Sequence, residues 1–218
     1  MNTLKALSFS LVLLSAMLIS CKHDPHLAPG TPEVCFDNQV LPIIQSSCAK
    51  SGCHDGNGEK QALNTYDDIM RMVTPGKPIQ SKLYKAITAN PHLGNIMPPK
   101  PDQPLNSAQL DNIEIWILQG ANHTSCNVVC DTITVTFSGS IKPINDTYCK
   151  GCHSGSQPSG GISLTDYTSI KSAIDGGRYI GAIQQLTGYK AMPKGGSKLP
   201  DCNIVQITKW VNQGMPDN

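Results

Sequence analysis

Two runs of this chain, Cys48-Ala49-Lys50-Ser51-Gly52-Cys53-His54 and Cys149-Lys150-Gly151-Cys152-His153, each set a cysteine ahead of a Cys-His pair. In that arrangement two thiols can add across the vinyl groups of a haem while the adjacent imidazole ligates its iron, which is the attachment chemistry of c-type haem. The same residue types can also serve a thioredoxin-like redox pair or a zinc site, so the motif has to be weighed with its surroundings. The first copy has the longer spacing, with four residues between its cysteines.

The surroundings are duplicated. An offset of 101 residues carries Pro42 onto Pro143, Ile43 onto Ile144, Cys48 onto Cys149, Leu63 onto Leu164, Tyr66 onto Tyr167 and Ile69 onto Ile170. The offset then shrinks to 95 for Met97-Pro98 and Met192-Pro193, and to 94 for Ile113, Trp116, Gln119 and Gly120 against Ile207, Trp210, Gln213 and Gly214. One domain has been repeated in tandem.

Helices must position the motifs. Before the second motif Ser140 can cap a short helix with Pro143 in its first turn, and before the first Asp37 or Asn38 takes that part ahead of Pro42. Each repeat closes on a better-defined helix. Ser107 caps a stripe of Leu110, Ile113, Trp116 and Ile117 that ends at Gly120; Asp201 caps Ile204, Ile207, Trp210 and Val211, ending at Gly214. Both tryptophans read as core. The intervening segments are rich in Gly, Pro, Ser and Asn, which predicts loops with one or two short helices and little sheet.

A haem bound by His54 or His153 needs a ligand on its other face. Met97 and Met192 sit at equivalent places, each before a proline and ahead of the tryptophan helix. A thioether suits haem iron and raises its potential relative to two histidines. Met70, Met72 and Met215 have no methionine counterpart and read as core filler. His92 rivals Met97 but has no partner in the second repeat, and His123 reads as a surface residue.

At the N-terminus Lys5 precedes an apolar run from Leu11 to Ile19, a secretory signal over residues 1–20 that is too short to span a bilayer stably. Its ending, Leu18-Ile19-Ser20-Cys21, is similar to a bacterial lipobox, which would make Cys21 the acylated mature terminus; cleavage elsewhere in an ordinary signal is the other reading. Residues 21–34 carry three prolines and read as a tether. His23 and His26 within it are solvated linker residues or spare metal ligands.

The cysteine count closes on this scheme. With Cys21 lipidated and four cysteines attached to haem, Cys35, Cys126, Cys130 and Cys202 remain of the nine. In an exported chain they are expected to pair as Cys35 with Cys126 and Cys130 with Cys202, with a local Cys126 to Cys130 bridge or free thiols as alternatives. Repeats of this size bury little core alone, and a mostly apolar macrocycle would supplement a chain with 5% aromatic residues. A net charge of +1 offers no basis for binding nucleic acid.

The order of helix, Cys-His motif, loop, Met-Pro turn and a helix ending in Trp116-Ile117-Leu118-Gln119-Gly120-Ala121 or Trp210-Val211-Asn212-Gln213-Gly214-Met215 resembles class I cytochrome c domains. It is most similar to those of exported bacterial lipoproteins. The first motif's spacing departs from that pattern, as does the lack of a proline soon after either histidine. The resemblance implies an all-α chain of two tandem cytochrome c-like domains, 35–126 and 130–218, each wrapped round a covalent haem.

The function expected is electron transfer rather than catalysis. Two haems c would be held through Cys48, Cys53, Cys149 and Cys152, with iron between His54 and Met97 and between His153 and Met192. Redox proteins would be the partners, and the lipid anchor would face the periplasm or cell surface. Lys22 in place of an inner-membrane retention aspartate favours the outer membrane. The alternatives are a di-haem peroxidase, which needs an open iron position and distal acid and base groups, a haem module of a larger surface complex, and a zinc protein using Cys149, Cys152, Cys126 and Cys130.

Overall fold

A computed structural model of the chain describes residues 26–126, 130–194 and 196–218. The segment expected to be a signal, residues 1–20, lies outside the described residues, as do Cys21 and His23. Among the described residues there is no strand, in keeping with an all-α chain. The first repeat contains α1 (Leu41–Ser47), α2 (Tyr66–Met70), α3 (Lys82–Ile87) and α4 (Ser107–Leu118). The second contains α5 (Lys142–Tyr148), α6 (Tyr167–Asp175), α7 (Tyr179–Ile183) and α8 (Asp201–Asn212).

The buried side chains divide by repeat. Phe36, Val40, Ile43, Ile69, Ile113 and Trp116 centre one core, and Phe137, Ile141, Ile144, Ile170, Ile207 and Trp210 the other. Each fully buried isoleucine or phenylalanine contributes roughly 1.5–3 kcal/mol relative to exposure. Phe36 meets Tyr66 edge-on at 5.1 Å and Trp116 at 5.2 Å; Phe137 meets Tyr167 at 5.2 Å and Trp210 at 5.7 Å. These aromatic trios tie the start of each repeat to its second and last helices. The tryptophans are core residues, as expected, and each indole N–H donates to a carbonyl beyond its helix, at Asn122 or Pro216. Met70, Met72 and Met215 pack against the cores as filler.

The closing helices stop in the same way. Gly120 and Gly214 take positive φ, of 99° and 85°, which a glycine adopts without a Cβ clash. The next amides, of Ala121 and Met215, then donate to the Trp116 and Trp210 carbonyls at 2.9 and 3.0 Å. The carbonyls of Ala121 and Met215 in turn accept from the Tyr66 and Tyr167 hydroxyls.

Several helix starts differ from expectation. Neither Asp37, Asn38 nor Ser140 caps the first helix of a repeat, because each helix grows out of a π turn, Phe36–Val40 or Phe137–Ile141. Thr136 begins the second of these by accepting from the Gly139 amide, and Gln39 serves the first by accepting from the Cys35 amide. At α4 the cap is Asn106 instead of Ser107. Asn106 and Gln109 bond reciprocally, and moving the cap to Ser107 would put Leu110, which has no polar group, in the answering position. At α8 Pro200 occupies the cap position, while Asp201 pairs with Lys198 at 3.2 Å. The tether is also shorter than expected: Gln119 accepts from the Val34 amide and donates to the Pro32 carbonyl, docking those residues on the end of α4.

Asp166 caps α6 in a capping box with Ser169, and the hydrogen bond from the Ser169 amide holds its carboxyl below the usual aspartate range. Asp166→Ala is expected to cost about 1 kcal/mol at neutral pH in chemical unfolding. A depressed carboxylate stabilises the folded state above its unfolded pKa and loses that effect as pH falls through the folded value. The difference between the two proteins should therefore shrink in acid, whereas a pH-independent gap would contradict the assignment.

The repeats touch. α1 packs on α5, the Gln109 side-chain amide donates to the Asp146 carbonyl at 2.7 Å, and the Tyr148 hydroxyl donates to the Asn38 carbonyl at 3.2 Å. Among the described residues no helix is long and apolar enough to cross a membrane.

Candidate functional site

Both motifs begin where α1 and α5 run out. The Cys48 and Cys149 amides close the last turn on the Ile44 and Asn145 carbonyls, at 2.8 and 2.9 Å, and both side chains are buried. The chain then curls back, so that the His54 amide donates to the Cys48 carbonyl and the His153 amide to the Cys149 carbonyl. The Leu63 and Leu164 amides bond the carbonyls of the same histidines at 3.0 and 2.8 Å.

Each imidazole is held by its Nδ1. His54 Nδ1 lies 2.7 Å from the Gln61 carbonyl oxygen and His153 Nδ1 lies 3.0 Å from that of Ile162. A carbonyl can only accept, so Nδ1 carries the proton and the Nε2 lone pair is left for another partner. This is how a metal-ligating histidine is oriented by its surroundings.

The unequal motif spacing is absorbed locally. Cys48 and Cys149 are 101 residues apart, as are Gln61 and Ile162, yet the two histidines are 99 apart. The two extra residues between the first pair of cysteines are matched by a stretch two residues shorter between histidine and carbonyl. The same three hydrogen bonds therefore frame the imidazole in both repeats.

Four cysteines, Cys48, Cys53, Cys149 and Cys152, are free thiols. Burial pushes Cys48 and Cys149 up to about 12, and burial also raises Cys152. Thiols in such surroundings are poor anionic metal ligands, because the thiolate is what burial penalises. A thioether carries no charge and escapes that penalty.

The methionine turns are anchored alike. The Met97 amide donates to the Ala86 carbonyl in α3 at 2.9 Å, and the Met192 amide to the Ala182 carbonyl in α7 at 3.0 Å. Met97 is 37% exposed, which sets it apart from the core methionines. Ile162, Leu186 and Tyr189 are further large apolar side chains left exposed on the segments that carry the second histidine and methionine.

Other sequence candidates resolve differently. Both expected disulfides are present, Cys35–Cys126 with Cα atoms 5.7 Å apart and Cys130–Cys202 with Cα atoms 5.5 Å apart. The zinc ligand set of Cys149, Cys152, Cys126 and Cys130 fails for that reason, since half of it is oxidised. Among the described residues no three His, Cys, Asp or Glu side chains gather as a metal site. His123 is exposed as expected but engaged, stacking on Tyr66 at 4.6 Å and pairing with Asp37 at 3.0 Å. His92 is exposed in a short turn, Pro91–Leu93.

The residues that sequence reasoning missed are Gln61 and Ile162. They act through backbone carbonyls, and only the common 101-residue offset could have paired them. Searches of family models, curated proteins and solved structures return no match to this chain.

Proposed function

We propose that the protein is an electron carrier with two covalent c-type haems. The observation that carries this reading is the identical framing of His54 and His153, each with Nδ1 committed to a backbone carbonyl and Nε2 available. Histidines beside paired free thiols, with that tautomer set twice over, fit the attachment side of a c-type haem. When bound, haem iron supplies a one-electron Fe(III)/Fe(II) couple.

The chain's own residues then have defined parts. Cys48 and Cys53, and Cys149 and Cys152, would hold the macrocycles as thioethers. His54 and His153 would each ligate an iron, and the Met97 and Met192 turns, pinned to α3 and α7, would supply the second ligands. With both ligands drawn from the chain, these residues would serve to bind the group and to tune its potential rather than to move bonds. The two disulfides fit an oxidising compartment, where the proposed Cys21 anchor would hold the protein at a membrane surface.

The test is a pyridine haemochrome assay on protein matured through a c-type haem route. Two haems per chain are expected; none would overturn the reading, and one would confine it to a single motif. Met192→Ala is expected to open the sixth position of the second haem, giving a high-spin fraction that binds cyanide. An unchanged spectrum would remove Met192 as a ligand.

A further inference from the structure

The contact between the repeats joins the end of α1 and the first Cys-His motif to the end of α5 and the second motif. Ser46 Oγ donates to the Thr147 carbonyl at 2.9 Å, and Lys50 Nζ donates to the Gly151 carbonyl at 3.0 Å. Ser46 and Thr147 are counterparts at the 101-residue offset, whereas Lys50 lies in the stretch where the first motif is two residues longer. In a two-fold arrangement residue i touches the partner's j and j touches i, and only near the axis does a residue meet its own equivalent. The Ser46–Thr147 self-pair lies between the ends of α1 and α5, where both Cys-His motifs begin.

The packing there is close and uses motif residues. Cys152 Sγ lies 3.5 Å from the Ser46 carbonyl oxygen. A Cβ at Gly151 would stand 2.2 Å from that same oxygen, so this position of the second motif admits only glycine. The Lys50 ammonium, inside the first motif, is also paired with Asp102 at 2.6 Å and is largely buried. Next to that aspartate, the Pro101 carbonyl oxygen would be 2.5 Å from a Cβ at Gly155, just past the second histidine. Each attachment loop is thus part of the other's wall.

We propose that the two haem sites form one electron-exchanging pair joined through this motif-to-motif junction, so that electrons pass inside the chain between two neighbouring centres. The inference rests on the haem reading above. In the exchange one iron is oxidised as the other is reduced, and no bond or proton moves. Tunnelling falls steeply with separation, and a junction built from the attachment loops themselves keeps the separation short. Two domains linked only by their tether would have no such constraint.

The experiment uses full-length haem-loaded protein with Met97→His, which lowers the potential of the first haem relative to the second and separates their spectra. Haem content is counted first, and a fraction of the chains is then photoreduced with a flavin semiquinone. The expected result is two haems per chain and transfer from the first to the second with a rate constant unchanged over a tenfold dilution. Two haems with a rate proportional to protein concentration would overturn the pairing and leave the carrier reading intact. One haem per chain would overturn the pairing and confine the haem reading to a single motif, and none would overturn both. In the same background Gly151→Leu is expected to slow transfer at least tenfold, and an unchanged rate would overturn the junction as the route. The dilution series decides the pairing even if Gly151→Leu fails to accumulate.

Discussion

On the proposed di-haem reading, replacing Cys149 and Cys152 together by serine is expected to halve the haem content of the protein, from two per chain to one. A serine hydroxyl is not nucleophilic enough to add to a vinyl group, so both covalent links are lost. His153 alone, on a part-exposed loop, would then have to retain the macrocycle through processing and purification. The first site should survive, because the bonds that frame His54 run to Cys48, Gln61 and Leu63, all within the first repeat. Its core is also separate from that of the second repeat. The reciprocal variant, Cys48→Ser with Cys53→Ser, should likewise keep one haem, attached at the second motif. Pyridine haemochrome values against protein concentration measure both. If the reciprocal variant keeps the haem content of the unaltered chain, the long-spaced motif carries no haem.

Removing the Cys35–Cys126 disulfide by a double serine substitution is expected to cost about 4–5 kcal/mol, on the chain-entropy estimate for a loop closed over 91 residues. Whole domains are stable by only about 5–15 kcal/mol, so the first repeat would sit at the edge of unfolding. The bridge joins the residue before the first π turn to the segment after α4, and Cys35 is 4% exposed within the core. The Cys130–Cys202 bridge spans 72 residues, and the loop-length term distinguishes the two by only about 0.2 kcal/mol. Cys130 is exposed, however, so its loss exposes less packed surface. Urea unfolding should therefore show the larger shift for the Cys35 and Cys126 variant, with the second repeat's transition retained. Equal shifts would place the effect wholly in the unfolded chain, and no shift would contradict the estimate.

Much of this was legible in residue order. The duplicated motif, the shared Met-Pro turns and the tryptophan stripes carried the repeat, and the expectation of export with four leftover cysteines suggested the disulfide pairs. Helix starts were read less well. Ser107 and Asp201 are good cap residues by type, but Asn106 prevails through its reciprocal bond with Gln109, and Pro200 leaves Asp201 free to pair with Lys198. The π turns escaped because their aromatic anchors, Phe36 and Phe137, are single residues with no local period. The repeat offset relates them, yet only packing against Tyr66 and Trp116, or Tyr167 and Trp210, shows why they are there.

By itself the sequence determined which side chains are available and how often: two Cys-His motifs, two methionine turns, four structural cysteines and the apolar stripes of the closing helices. These are properties of residue type and short-range spacing. Tertiary structure alone decided how the histidines are held and how the repeats meet. The acceptors for His54 and His153 are backbone carbonyls, groups that every residue has, so residue type cannot mark them. The junction at Ser46, Lys50 and Gly151 depends on two surfaces brought together across 101 residues, and no local pattern encodes their contact.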